Sequence, residues 1–138
     1  MNDTKIIASA EAKNDGAIYK TIMLAGNYEL IADEPKDAGG NAEGPAPGDY
    51  LCMALASCKA ITIRMYAQRK KWVLGKIKVK VDLIKNEQVT PALNTFYCTI
   101  KLNAKLEDEQ VKRIIEISKV CPIARLLGKA NEVVTVVE

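Results

Sequence analysis

The chain has 138 residues, 49% of them apolar and 27% charged, with a net charge of +3. Those values fit one soluble globular domain over residues 1–138 and exclude a disordered chain, and no run approaches the roughly 20 apolar residues that a membrane span needs. Histidine is absent altogether, which removes the Ser-His-Asp and Cys-His hydrolases, because both need an imidazole base.

The first third reads as a β-meander. Ile6 to Ala12 is followed by the turn signal Asn14-Asp15-Gly16 and then by Ala17 to Leu24. A second turn at Ala25-Gly26-Asn27 leads into Tyr28 to Ala32. From Asp33 to Asp49 the chain is rich in Pro, Gly and Asp and reads as a long loop, a feature that often carries function.

A central helix is predicted from Pro47 or Asp49 to Lys71. Leu51, Leu55, Cys58, Thr62, Met65 and Arg69 recur at alternating steps of four and three, which marks one helical stripe, and Ala54 and Ile61 widen it. Trp72-Val73-Leu74-Gly75 turns the chain into a strand from Lys76 to Ile84. A polar connection, Asn86 to Leu93, precedes a second strand, Thr95 to Leu102, with Phe96, Cys98, Ile100 and Leu102 on one face. Glu107-Asp108-Glu109 opens another helix, whose mostly apolar face is Val111, Ile114, Ile115 and Ser118. Pro122 suits the first position of a short helix to Leu127, which puts Cys121 at its N-cap. Gly128 stops that helix, and Val133 to Val137 is predicted as a last strand.

The basic residues between Arg69 and Lys80 read as a helix end and the wet face of a strand. With Trp72 the single aromatic residue among them, they lack the run of stacking residues that would give reason to expect nucleic acid as a partner. The N-terminal residues lack the basic-then-apolar pattern of a secretory signal, so the expected location is cytoplasmic and the four cysteines are expected to be thiols. No Cys-x-x-Cys pair suggests a metal, and neither a GxGxxG nor a P-loop fingerprint suggests a nucleotide.

What remains is sulfur. Cys121 has the better local physics for a thiolate, since a helix N-cap offers unpaired N–H groups and the positive end of the dipole. Cys58, in mid-helix, reads either as a small core residue or as a thiol that needs a nearby cation to react. Cys98 reads as core. Cys52 lies about 120° round the helix from Cys58, so those two are not expected to pair.

Taken together, several segments resemble the OsmC/Ohr family. They are Gly44-Pro45-Ala46-Pro47, the acidic Asp49, the Ala/Leu-rich helix ending in Ser57-Cys58, the run Ile63 to Trp72, and Cys121-Pro122-Ile123. The resemblance implies an α+β fold with N-terminal antiparallel strands, a long central Cys-bearing helix, further strands and a second Cys-Pro helix. It also implies that two chains intertwine as a homodimer. The implied activity is cysteine-based reduction of small organic hydroperoxides in the response to oxidative stress. Cys58 would be the peroxidatic thiol and Cys121 the resolving thiol. No bound cofactor is implied, but an external dithiol reductant is, dihydrolipoyl groups serving in the Ohr branch.

Two positions depart from the Ohr pattern. Its glutamate, ten before the peroxidatic cysteine, is Gly48 here, with Asp49 one position later; Asp49 could position thiolate or substrate, or simply cap the helix. The Ohr arginine from the N-terminal strands has no counterpart, since no arginine precedes Arg64. Lys20, Arg64 or Arg125 could supply the cation. The alternative is an OsmC-like small-molecule binding protein with little or no turnover.

Overall fold

The computed structural model describes residues 4–138, which fall into two compact units, one ending at Tyr50 and the other spanning Leu51–Glu138.

In the first unit, β1 (Glu11–Lys13), β2 (Thr21–Ala25) and β3 (Tyr28–Ala32) form an antiparallel sheet in sequential order. Register is set by a two-residue turn that pairs Ala25 with Tyr28, and Gly26 takes the positive φ of 58° at its first position. Of the predicted first strand, Ile6 to Ala12, only Glu11 and Ala12 are paired, and β1 runs one residue further to Lys13. Ile6 and Ile7 are open to solvent.

The long loop folds against its own sheet. Asp33 is buried, and its carboxylate accepts from the N–H groups of Glu34 at 2.7 Å and Glu43 at 3.1 Å. The Tyr50 hydroxyl donates to the Ile31 carbonyl at 2.6 Å. Gly44 runs so close that a Cβ there would sit 2.3 Å from the Ile31 carbonyl oxygen, so no larger residue fits.

α1 runs Pro47–Lys70. Pro47 at its first position costs no hydrogen bond, and the Asp49 carboxylate reaches back to the N–H of Ala46 at 3.0 Å. At the other end, Trp72 N–H donates to Ala67 and Lys71 N–H to Gln68. Together they form a Schellman motif in which Lys71 takes the left-handed position at φ 59°.

The second unit holds the hairpin β4 (Ile77–Asn86) and β5 (Leu93–Leu102), then α2 (Asp108–Ser118) and α3 (Pro122–Leu127). β4 and β5 pair over their full length, Ile77 opposite Leu102 and Asn86 opposite Leu93. Lys78 and Lys80 are exposed while Ile77, Val79 and Val81 turn inward, the period-two pattern of a half-buried strand. Glu107 and Gln110 close a capping box at the start of α2. The core is Ile63 and Ala67 of α1, Leu74, and Ile114 of α2, with Trp72, Ile77, Ile100, Leu102 and Leu106 packed around it.

Two expectations need correction. The buried face of α1 is Leu55, Lys59, Ile63, Tyr66 and Ala67, roughly a quarter turn from the predicted stripe. Of that stripe, Leu51, Met65 and Arg69 are exposed. The second correction concerns Val133 to Val137, which form no strand and are exposed apart from any sheet. Alternation of β-branched residues makes a strand only where an edge is free to pair with it.

Candidate functional site

Cys58 and Cys121 come together. Cys58 is half-buried on α1, beside the apolar face that α1 leaves open, and Cys121 sits at the N-cap of α3 with its side chain fully buried. The two thiols are neighbours, near enough for Cys58 to bear on the ionisation of Cys121. Cys121 also accepts the N–H of Ala124 at 3.4 Å, the capping bond expected of its position.

The balance at Cys121 nevertheless differs from the sequence expectation. Burial pushes its thiol above the usual range, and the neighbouring Cys58 thiol adds to this. The Ala124 N–H and the nearby charge of Lys59 pull the other way and do not prevail. Desolvation of a charged sulfur outweighs a single capping N–H, so the helix N-cap does not make Cys121 the readily ionised thiol.

Lys59 is the residue that sequence reasoning passed over. It follows Cys58 about 100° further round α1, on the buried face, where it is 6% exposed. Its Nζ donates to the carbonyl of Ser118 at 2.7 Å, at the end of α2 and just before Cys121. From there its charge favours the ionised form of both Cys121 and Cys98. The available signal was its place: a lysine one residue past a candidate nucleophile, on the face of α1 that also carries Ile63 and Ala67.

The three cations named from the sequence each have contacts or exposure of their own. Lys20 pairs with Glu43 at 3.7 Å in the first unit. Arg64 donates to the carbonyl of Gly75 at the turn after α1. Arg125 lies on the exposed side of α3. Asp49 is exposed and spends one oxygen on the Ala46 N–H, a capping bond.

The other two thiols form a separate neighbourhood. Cys98 faces inward from β5, and burial raises its thiol, with Cys52 near enough to disfavour ionisation further. Its S–H donates to the carbonyl of Phe96 at 3.6 Å. Cys52 and Cys58 thus serve different sides of α1, as their angular separation requires. Among the described residues, no three His, Cys, Asp or Glu side chains are grouped to hold a metal ion, and no helix is long and apolar enough to cross a membrane.

Residues 39–136 match the family model described as OsmC-like protein. Solved structures agree on the fold. A candidate osmotic stress induced and detoxification response protein from Psychrobacter arcticus 273-4 is 23% identical, with 91% of each chain covered and a TM-score of 0.75. An OsmC-like protein from Mycoplasma pneumoniae is 20% identical over 92% of this chain and 89% of its own, with a TM-score of 0.73. An organic hydroperoxide resistance protein, OsmC, from Legionella pneumophila is 16% identical over 91% of both chains, with a TM-score of 0.67. No curated protein matches the chain. At these identities the structural likeness fixes the α+β architecture and nothing finer.

Proposed function

Because the chain belongs to the OsmC-like protein family, we propose that it is a thiol-dependent hydroperoxide reductase, with Cys58 peroxidatic and Cys121 resolving. The observation that carries this reading is the neighbourhood of the two thiols, with Cys121 buried at the N-cap of α3 and close enough to Cys58 for each to bear on the other's charge.

The chemistry balances in three steps. Cys58 thiolate attacks the distal oxygen of the hydroperoxide, the O–O bond breaks, and the departing alkoxide takes a proton to leave as alcohol. Cys58 is then a sulfenic acid. Cys121, once it has lost its proton, attacks that sulfur and expels hydroxide, which leaves as water, forming the Cys58–Cys121 disulfide. An external dithiol, a dihydrolipoyl group by family likeness, takes the oxidation away by exchange. Burial suits Cys121 to this second role: a sulfur shielded from solvent and facing Cys58 meets the sulfenic acid before any outside thiol can.

Lys59 acts on the second step. Its ammonium, fixed on Ser118, favours the thiolate of Cys121 against the cost of desolvation.

The functional unit is proposed to be a homodimer in the cytoplasm. Ile61 and Met65 of α1 are more than half exposed, and Leu51 nearly so, an apolar face beside Cys58 that a second chain would cover. A second reading is a small-molecule binding protein with little turnover. It draws on an organic hydroperoxide resistance protein of Vibrio cholerae that holds captopril in one of its active sites.

The deciding experiment treats reduced protein with one equivalent of cumene hydroperoxide and maps its thiols by mass spectrometry. A rapid Cys58–Cys121 disulfide, absent in Cys58→Ser, is the expected result. Four unreacted thiols would overturn the peroxidase reading in favour of the binding protein.

A further inference from the structure

A cleft of about 380 Å³ opens between β5 and α2, and neither Cys58 nor Cys121 lines it. Part of its wall is aliphatic, Ile100 and Leu102 from β5 with Val111, Ile114 and Ile115 from α2, and Tyr97, Cys98 and Thr99 complete the β5 side. Ile114 is buried, while Val111 and Ile115 are 38% and 45% exposed. No acidic residue lines it.

Lys59 reaches this cleft from α1. It is 6% exposed, and an ammonium has three N–H donors, of which the Ser118 carbonyl takes one. Among the described residues no carboxylate lies within ion-pairing distance of it. A buried ammonium with no counter-ion is expensive, and it is tolerated more readily where an anion can reach it. Lys119, also lining the cleft, adds a second positive charge from the exposed end of α2.

We propose that this cleft binds a medium-chain aliphatic monocarboxylate, its carboxylate on the free donors of Lys59 and its chain along Ile100, Leu102 and Ile114. Charge selects the head and the aliphatic walls select the tail. An alcohol of equal length would leave the ammonium uncompensated, and acetate would leave the walls wet. Binding needs no peroxide and no thiol chemistry, so the proposal stands or falls separately from the peroxidase reading.

The test is calorimetric titration of the reduced protein with octanoate, octanol and acetate. Saturable octanoate binding at one per chain is expected, with octanol and acetate weaker by about tenfold or more. Lys59→Met should weaken octanoate by about tenfold to a hundredfold, whereas Lys59→Arg should retain most of the affinity. Ile115→Trp, at an exposed wall position, should obstruct the cleft and weaken octanoate comparably while the fold, read by circular dichroism, stays intact. Absence of saturable octanoate binding, octanol bound as well as octanoate, or affinity untouched by both Ile115→Trp and Lys59→Met would each overturn the assignment.

Discussion

The ammonium of Lys59 is tied to the backbone carbonyl of Ser118 at 2.7 Å, and Ser118 is the last residue of α2 before the chain turns to Cys121. One hydrogen bond therefore fixes the position of a buried charge relative to Cys121. It also joins α1, which carries Cys58, to the segment that carries Cys121.

Replacing Lys59 should separate the two half-reactions. In Lys59→Met the charge that favours Cys121 thiolate is gone, so disulfide closure should slow by about tenfold, and its pH profile should move to higher pH. Sulfenic acid on Cys58 should accumulate and be trapped by dimedone. Lys59→Arg should restore closure, and the Met variant should be at least as stable as the parent, since it removes an uncompensated buried charge. Stopped-flow oxidation followed by mass spectrometry reads both steps. Closure at the parent rate in Lys59→Met would remove Lys59 from the site.

Cys121 also sets a pH dependence of stability. Its thiol is held above the usual range, chiefly by burial, so the folded state favours the protonated sulfur. Below the ordinary thiol pKa of about 8.5 both states are protonated, and this contribution is fully present. As pH rises past that value the unfolded chain loses its proton first, and stability declines until the folded pKa is passed. Urea midpoints of the reduced protein should therefore hold near neutrality and fall above about pH 8.5, with a shallower fall in Cys121→Ala. Equal slopes in the two proteins would mean that Cys121 is not the group responsible.

The capping bond of Asp49 is expected to account for its whole contribution. Asp49→Ala removes the acceptor of the Ala46 N–H and should cost about 0.5–1 kcal/mol of stability, as loss of an N-terminal cap does. Peroxide turnover should stay unchanged. A folded Asp49→Ala protein without turnover would place the carboxylate in the chemistry instead.

Lys71 holds a left-handed conformation that a side chain resists. Lys71→Gly should stabilise the protein by about 0.5–1 kcal/mol, because glycine meets no Cβ penalty at the residue that follows a helix C-cap. Thermal unfolding checks it, and a lower midpoint in the variant would contradict the Schellman geometry.

Element boundaries were legible where local chemistry enforces them. Pro47 and Pro122 each mark a first helical position, the hairpin alternates cleanly, and α3 ends at Leu127 before Gly128 as read. The face of α1 was not legible in the same way. Its buried side includes Lys59 and Tyr66, so counting apolar residues selected the neighbouring side, and a hydrophobic periodicity cannot show that a lysine is the buried member. Cys58 was found through family likeness, since a mid-helix thiol carries no local mark. The balance at Cys121 was missed because a cap is local but burial is a property of the packed chain. Val133 to Val137 failed as a strand for a related reason, since their pattern says nothing about whether an edge is available.

That misread stripe makes the last prediction. Ile61 and Met65 are 56% and 61% exposed on the side of α1 next to Cys58, and shallow hollows run along this face past Arg64 and Arg69. Scattered exposed apolar residues mean little, but a helical row beside a candidate nucleophile is a surface suited to a second copy. The protein should sediment as a dimer at micromolar concentration. Met65→Asp and Ile61→Asp, being exposed in the single chain, should change its folding stability by no more than about 0.5 kcal/mol, yet each would bury a charge in the interface. Both variants should therefore shift toward monomer while keeping their secondary structure. A wild-type monomer, or a dimer indifferent to both aspartates, would mean that this face is not where two chains meet.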